Sequence, residues 1–253
     1  MAEQSGLVLS KRDWDAAFFD MDGVLTDTAR LHTTAWKHLF DEFLRRRAAA
    51  AGGNFVPFDP QDDYLAHVDG RPREDGVRTF LASRGIHLPE GSEDDPDGAD
   101  TVAALARHKD HLFAQELQGG AEPMPGTEAL LRALRRVSIR TAVVSSSRNC
   151  AEVLEAAGLT SLLDTRVDGL DLVALGLPGK PAPDLFLEAA RRLGVTPARG
   201  ILFEDALAGV EAGLRGGFGC VVGVGSGSQA AALLAQGAEA VIGDLSEVAV
   251  GLG

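Results

Sequence analysis

From residue 127 onward the chain alternates helical stretches with short, continuous apolar runs, and this alternation limits its fold more than any other feature. The runs are "IRTAVVS" at 139–145, a short run near 163–167, "GILFED" at 200–205 and "GCVVGV" at 219–224. Between them lie segments of helical period at 127–136, 149–157, 182–193, 206–214 and 229–235, several closed by glycine. A strand that is apolar on both faces is buried on both faces, which happens when helices cover a parallel sheet. The expected fold is therefore α/β: a Rossmann-like doubly wound parallel sheet. Its first strand is expected at 16–20, "AAFFD", far ahead of the others.

The stretch between is of a different kind. From Leu31 a helical face carries Leu31, Ala35, Leu39 and Phe43 and closes near "RRRAAAAGGN" at 45–54. Further helical stretches at 73–84 and 101–117 are separated by an acidic loop at 89–100, and no strand is evident. The reading is a core of residues 1–30 and 121–253 interrupted by an all-helical insert of residues 31–120. The acidic loop imitates part of a calcium loop through Glu93, Asp95, Asp97 and Gly98. Its twelfth position is Ala104, not a bidentate glutamate, and its fourth is Pro96, so an exposed loop is expected.

The formal net charge of −13 disfavours nucleic acid and anionic membrane as partners. No apolar stretch approaches the roughly 18 residues of a membrane span. The N-terminal residues show no signal-peptide pattern, and the two cysteines, Cys150 and Cys220, have no redox or metal spacing. A cytoplasmic protein with two free thiols is expected, as a monomer or weak homo-oligomer.

Ligands of open parallel sheets bind beyond the carboxyl ends of the strands. In this chain those ends carry chemistry. The first strand ends in Asp20-Met21-Asp22-Gly23, and the second in Ser145, Ser146, Ser147, Arg148 and Asn149. A later strand ends in Glu204-Asp205, and the loop before helix 182–193 carries Lys180. Taken singly, Ser147, Asn149 or Asp205 would pass as a helix cap and Lys180 as a surface lysine. Two acid pairs at strand ends of one orientation are not explained by caps. Crowded carboxylates raise one another's pKa unless a cation neutralises them. Mg2+ takes oxygen ligands and bridges carboxylates to phosphate, so the set suggests a magnesium site handling a phosphate. A carboxylate there can act as a nucleophile, with a second as general acid or base. Asp27, the third acid of the stretch, is expected to cap or orient the exit into the insert. "GVGSG" at 223–227 lacks dinucleotide spacing and reads as a turn, and His108 with His111 reads as a solvated face.

These four segments, in the chain order Asp20–Val24, Ser145, Lys180 and Glu204-Asp205, resemble the haloacid dehalogenase (HAD) superfamily. The resemblance implies Asp20 as nucleophile, Asp22 as general acid/base, and Ser145 with Lys180 holding the transferring phosphoryl. It implies Mg2+ held by Asp20, the backbone carbonyl of Asp22, Asp205 and Glu204. The insert falls where one subgroup carries a helical cap, and the chain is similar there to the β-phosphoglucomutase-like subgroup. "DTARLHTTAW" supplies Thr28, His32 and Trp36 at the subgroup's spacing. "GRPRED" supplies Gly70 and Arg73, the arginine implied to hold the non-transferring phosphate, and "RHKD" supplies Lys109. Ser146, Ser147, Arg148 and Asn149 are implied near the substrate. The chain departs from the pattern at Arg71, Pro72 and Gly76, and at Asp110, where an amide would be expected. The implied activity is a phosphoryl transfer on a small phosphorylated sugar. The expectation is a mutase primed by glucose 1,6-bisphosphate; a phosphatase on the same core is the alternative.

Overall fold

The computed structural model describes residues 7–251. In chain order the elements are β1 (Leu7–Leu9), β2 (Ala16–Phe19), α1 (Ala29–Ala51), α2 (Asp62–His67), α3 (Arg73–Ser83) and α4 (Val102–Leu117). There follow α5 (Thr127–Arg136), β3 (Arg140–Val144), α6 (Cys150–Ala156), β4 (Thr165–Val167), α7 (Gly169–Leu175) and α8 (Asp184–Leu193). The chain continues with β5 (Gly200–Glu204), α9 (Leu207–Arg215), β6 (Cys220–Val224), α10 (Gly227–Gln236), β7 (Ala240–Ile242) and β8 (Val248–Val250). The described residues fall into two compact units, with boundaries after Asp27 and after Gly120.

The first unit is built on a six-stranded sheet of order β4-β3-β2-β5-β6-β7, every neighbouring pair parallel. This is the doubly wound α/β fold expected from the alternation. Phe18 and Leu202 face a cluster with Leu185 and Phe186 of α8, Val210 of α9 and Leu233 of α10. The next residues along, Phe19 and Phe203, point to the opposite face and stack at 5.0 Å. Parallel strands with both faces covered leave their polar chemistry only at the ends. The chain leaves β2 toward β3 and leaves β5 toward β6, in opposite directions across the sheet. The crevice of such a switch point lies between those two strands.

Three parts of this unit lie outside the sequence reading. Strand β7 extends the sheet, β1 pairs with β8 in a separate two-stranded parallel sheet, and α7 follows β4. Each strand is three residues long, too short for a periodic signal. Helix α7 opens with a capping box, Asp168 at its N-cap and Asp171 three residues on, which is a start signal in the residue order. Asp27 does not cap a helix. Thr28 holds the N-cap position of α1, and Asp27 is exposed, its backbone N–H donating to the Glu122 carbonyl at 2.9 Å. Nor does Asp205 cap α9, whose N-cap position is Ala206.

The second unit is helical, as the sequence implies, with the short α2 in addition. Helix α1 ends at Gly52, whose left-handed φ of 64° closes the helix as the glycine pair predicts. Its core joins Trp36, Leu39, Phe40 and Phe43 to Phe58, Val77, Phe80 and Leu105. The acidic loop is tied down by arginines: Arg107 donates to the carbonyls of Glu93 and Asp95, and Arg46 pairs with Asp100. Cys150 and Cys220 are free thiols. Among the described residues no helix is long and apolar enough to cross a membrane.

Candidate active site

Register places the first two acids side by side. Phe19 of β2 is level with Phe203 of β5, so the next residues, Asp20 and Glu204, share a height and, by strand alternation, a face. Both are buried, Glu204 completely. Two buried carboxylates on adjacent strands would repel and pay heavily for lost hydration. The chain answers with Lys180, whose Nζ donates to Asp20 Oδ1 at 2.5 Å and to Glu204 Oε2 at 2.8 Å. The Lys180 side chain has no exposed surface, and its ammonium lies 5.0 Å from the centroid of the Phe186 ring below it. The Lys180–Pro181 peptide is cis.

The electrostatics follow from burial. Burial raises the pKa of Asp20, Lys180 opposes it, and nearby Asp22 adds to the rise. Burial and the Asp20 charge push Glu204 up to about 8 against the pull of Lys180. Burial alone would strip Lys180 of its proton, but the two carboxylates outweigh it and hold the ammonium charged. Glu204 is further fixed by the Ala206 N–H, which donates to its Oε1 at 3.2 Å.

Two glycines make room for this arrangement. Gly23 has a φ of 79°, and a Cβ there would stand 2.1 Å from Asp205 Oδ2. The turn after β2 must therefore be bare for the Asp205 carboxylate to lie against it. The same turn is closed by the N–H groups of Leu25 and Thr26, both donating to the Met21 carbonyl at 2.9 Å. Gly209, inside α9, leaves the space that Glu204 occupies; a Cβ there would stand 1.9 Å from the Glu204 carboxyl carbon. A glycine inside a helical pattern is a sequence signal for such close packing, and it was overlooked. Gln229 of α10 was also missed; its Nε2 donates to the Asp205 carbonyl at 2.9 Å.

One carboxylate oxygen from each of Asp20, Glu204 and Asp205 lies within 4.8 Å of the others. The donor set is all oxygen and acidic, the chemistry of a hard divalent cation, so these residues fit one. Asp22, half-buried, sits in the turn that follows Asp20. Ser145 directly follows β3, the strand beside β2, and is buried. Its Oγ accepts the Ser147 N–H at 3.0 Å, and Ser147 Oγ accepts the Asn149 N–H at 3.2 Å, which coils Ser146 and Arg148 into a tight loop. That loop rests on the start of α7, where a Cβ on Gly169 would meet the Ser146 carbonyl at 2.6 Å. The residues foreseen at strand ends are thus brought together at one edge of the sheet.

Of the residues foreseen in the helical unit, His32, Trp36 and Lys109 lie together. Thr28, His32, Trp36 and Lys109 are all buried. Lys109 Nζ lies 2.5 Å from His32 Nδ1, 5.3 Å from the Trp36 ring centroid and 4.9 Å from that of Phe113. His32 stacks on Phe113 at 4.0 Å. Gly70, with φ 67°, turns the chain toward α3, which Arg73 begins, and Arg73 pairs with Asp110 of α4. Gly76 lies flat on Trp36; a Cβ there would stand 3.1 Å from the ring. His108 makes a 3.5 Å contact with Glu42.

The haloacid dehalogenase-like hydrolase family profile matches residues 14–217. A β-phosphoglucomutase of Mycobacterium bovis is 50% identical over 237 residues, covering 92% of this chain and 90% of that protein. A validoxylamine A 7'-phosphate phosphatase of Streptomyces hygroscopicus subsp. limoneus is 32% identical, covering 93% of this chain and 96% of that protein. Among solved structures, a β-phosphoglucomutase from Clostridium difficile superposes with a TM-score of 0.71 at 25% identity, covering 92% of each chain.

Two outcomes follow for the acidic cluster. Gly23→Ala forces a side chain into the Asp205 carboxylate, so affinity for a divalent cation falls about tenfold or more while the circular dichroism spectrum is kept. Calorimetric titration checks this; unchanged affinity would contradict the packing. The second outcome concerns pH. A carboxyl whose pKa is raised keeps its proton to higher pH, and a cation must displace that proton. With Glu204 raised to about 8, cation affinity should strengthen as pH climbs through that value and level off above it. Titrations from about pH 6 to pH 9 measure this; a flat profile would contradict it.

Proposed function

The chain belongs to the haloacid dehalogenase-like hydrolase family and is an enzyme; we propose that it is a magnesium-dependent phosphomutase converting β-glucose 1-phosphate to glucose 6-phosphate. The observation that carries this reading is the 50% identity to a β-phosphoglucomutase over 92% of the chain, a span that takes in both units. Asp20, Glu204, Asp205 and the Asp22 backbone carbonyl would hold Mg2+. When bound, the ion neutralises the acids and offsets negative charge on the phosphoryl oxygens.

The residues of the chain supply the rest. An Asp20 carboxylate oxygen attacks a phosphorus of glucose 1,6-bisphosphate; the bond from that phosphorus to the sugar oxygen breaks, and a glucose monophosphate leaves with a proton from Asp22. The 6-hydroxyl of β-glucose 1-phosphate then attacks that phosphorus, and the Asp20–phosphorus bond breaks. Asp22 takes the hydroxyl proton in this step; the bisphosphate formed turns round, its C1 phosphoryl passes back to Asp20 as the bond from phosphorus to the C1 oxygen breaks, and Asp22 returns the proton to that oxygen, releasing glucose 6-phosphate. Lys180 and Ser145 bind the phosphoryl oxygens during transfer, where catalysis is chiefly positioning and charge compensation. Ser146, Ser147, Arg148 and Asn149 contact the transferring group or the sugar. In the helical unit, Arg73 takes the phosphate that is not being transferred, with Lys109, His32, Thr28, Trp36 and Gly70 shaping the sugar subsite as a cap. A planar guanidinium suits this task, because it can grip either phosphate after the bisphosphate turns round.

A second reading is favoured by the 32% identity to a phosphatase over 93% of the chain: water, not a sugar hydroxyl, would relieve Asp20 of the phosphoryl. Incubation with β-glucose 1-phosphate, Mg2+ and a trace of glucose 1,6-bisphosphate, followed by ³¹P NMR, separates the two. Glucose 6-phosphate should accumulate with little free phosphate. Phosphate release without isomerisation would sink the mutase. Asp20→Asn should abolish either activity, since an amide oxygen is a poor nucleophile; retained turnover would overturn the assignment of Asp20.

A further inference from the structure

Asp110, paired with Arg73, departs from what a phosphate-gripping arginine requires. A guanidinium kept for a ligand gains from neutral surroundings; this one is paired with a carboxylate of the same unit. The Arg73 side chain is only 9% exposed, whereas that of Asp110 is 27% exposed. The arginine is therefore fixed and largely dehydrated, and the carboxylate is the partner with room to move. Its neighbour Lys109 is committed elsewhere, to His32 Nδ1 and the rings of Trp36 and Phe113. Trp36 also carries Gly76, one turn along α3 from Arg73. Arg73 thus begins the helix that lays Gly76 on Trp36, the ring that Lys109 also approaches, and Asp110 is the acid paired with Arg73.

We propose that Asp110 is a resident counter-ion of Arg73, which a phosphate must displace to reach the guanidinium. This rests on the reading that Arg73 binds a phosphate. The consequence is graded selection. A carboxylate and a phosphate are both anions, so they compete for the same fork of donors. If the pair is closed about nine-tenths of the time, the affinity of Arg73 for phosphate is reduced about tenfold. An asparagine at 110 keeps the size and shape but neither pairs as strongly with Arg73 nor repels an incoming anion. Asp110 thereby keeps the helical unit from being filled by free phosphate, and lets in a ligand whose other contacts supply the cost of displacement.

The test is titration of the full-length protein with inorganic phosphate in EDTA, read by calorimetry. The variants are Asp110→Asn, Asp110→Ser, Arg73→Ala and Arg73→Ala with Asp110→Asn. Asp110→Asn should bind phosphate about tenfold more tightly than the wild type, Asp110→Ser should change in the same direction, and the gain should vanish when Arg73 is also removed. Equal or weaker phosphate binding by the folded Asp110 variants would overturn the proposal. So would a gain that persists without Arg73. The outcome is independent of the reaction catalysed: absence of mutase turnover with an Arg73-dependent gain would sink the mutase and leave Asp110 as the counter-ion.

Discussion

The ammonium of Lys180, buried between Asp20 and Glu204, is the interaction on which the rest of the site depends. The fold brings two acids to adjacent strand ends at the same height, and burial would drive both to their neutral forms. A neutral acid is a poor nucleophile and a poor cation ligand. One cation with no exposed surface reaches both carboxylates and opposes that drift. The arrangement is costly to assemble, because three charged groups lose their water, and it persists only when the geometry is tight. The glycines at 23 and 209, the Phe186 ring and the Ala206 N–H all serve that tightness.

The same logic explains why the site lies where it does. Parallel strands with both faces covered can present polar groups only at their ends, and the winding reverses between β2 and β5. The acids of the first segment and those of the fourth meet there although the helical unit and strands β3 and β4 lie between them in the chain. The helical unit shows a different solution to a related problem. It buries Lys109 and most of Arg73, and matches each with a partner within the unit: a histidine nitrogen and two aromatic rings for one, a carboxylate for the other.

Much of this was legible in the residue order, for definite reasons. The sheet was legible because continuous apolar runs alternate with helical ones, and the acidic edge because acids close two of those runs. Strands of three residues, β1, β7 and β8, carry too little pattern to be seen. Asp27 has the residue type and place of a helix cap, but the helix begins one residue later, with Thr28 at its N-cap position, and Asp27 is exposed. The link of Lys180 to Glu204 was hidden because it depends on strand register, which no local pattern encodes. Gln229 acts only through the Asp205 carbonyl it supports, so nothing in its own neighbourhood marks it, whereas Gly209 is marked by standing inside a helical pattern. Asp110 was visible as a departure from an expected amide, but its pairing with Arg73 needed the packing of α3 on α4.

The central claim is that Lys180 and Glu204 are energetically one unit. A double-mutant cycle on the metal-free protein tests it, with Lys180→Met, Glu204→Gln and the double variant compared by chemical denaturation. Removing the lysine alone leaves two buried carboxylates without their cation, so it should cost more than removing it together with the Glu204 charge. The account predicts a coupling of about 1–3 kcal/mol, with the double variant more stable than the sum of the single losses implies. Additive losses would contradict it.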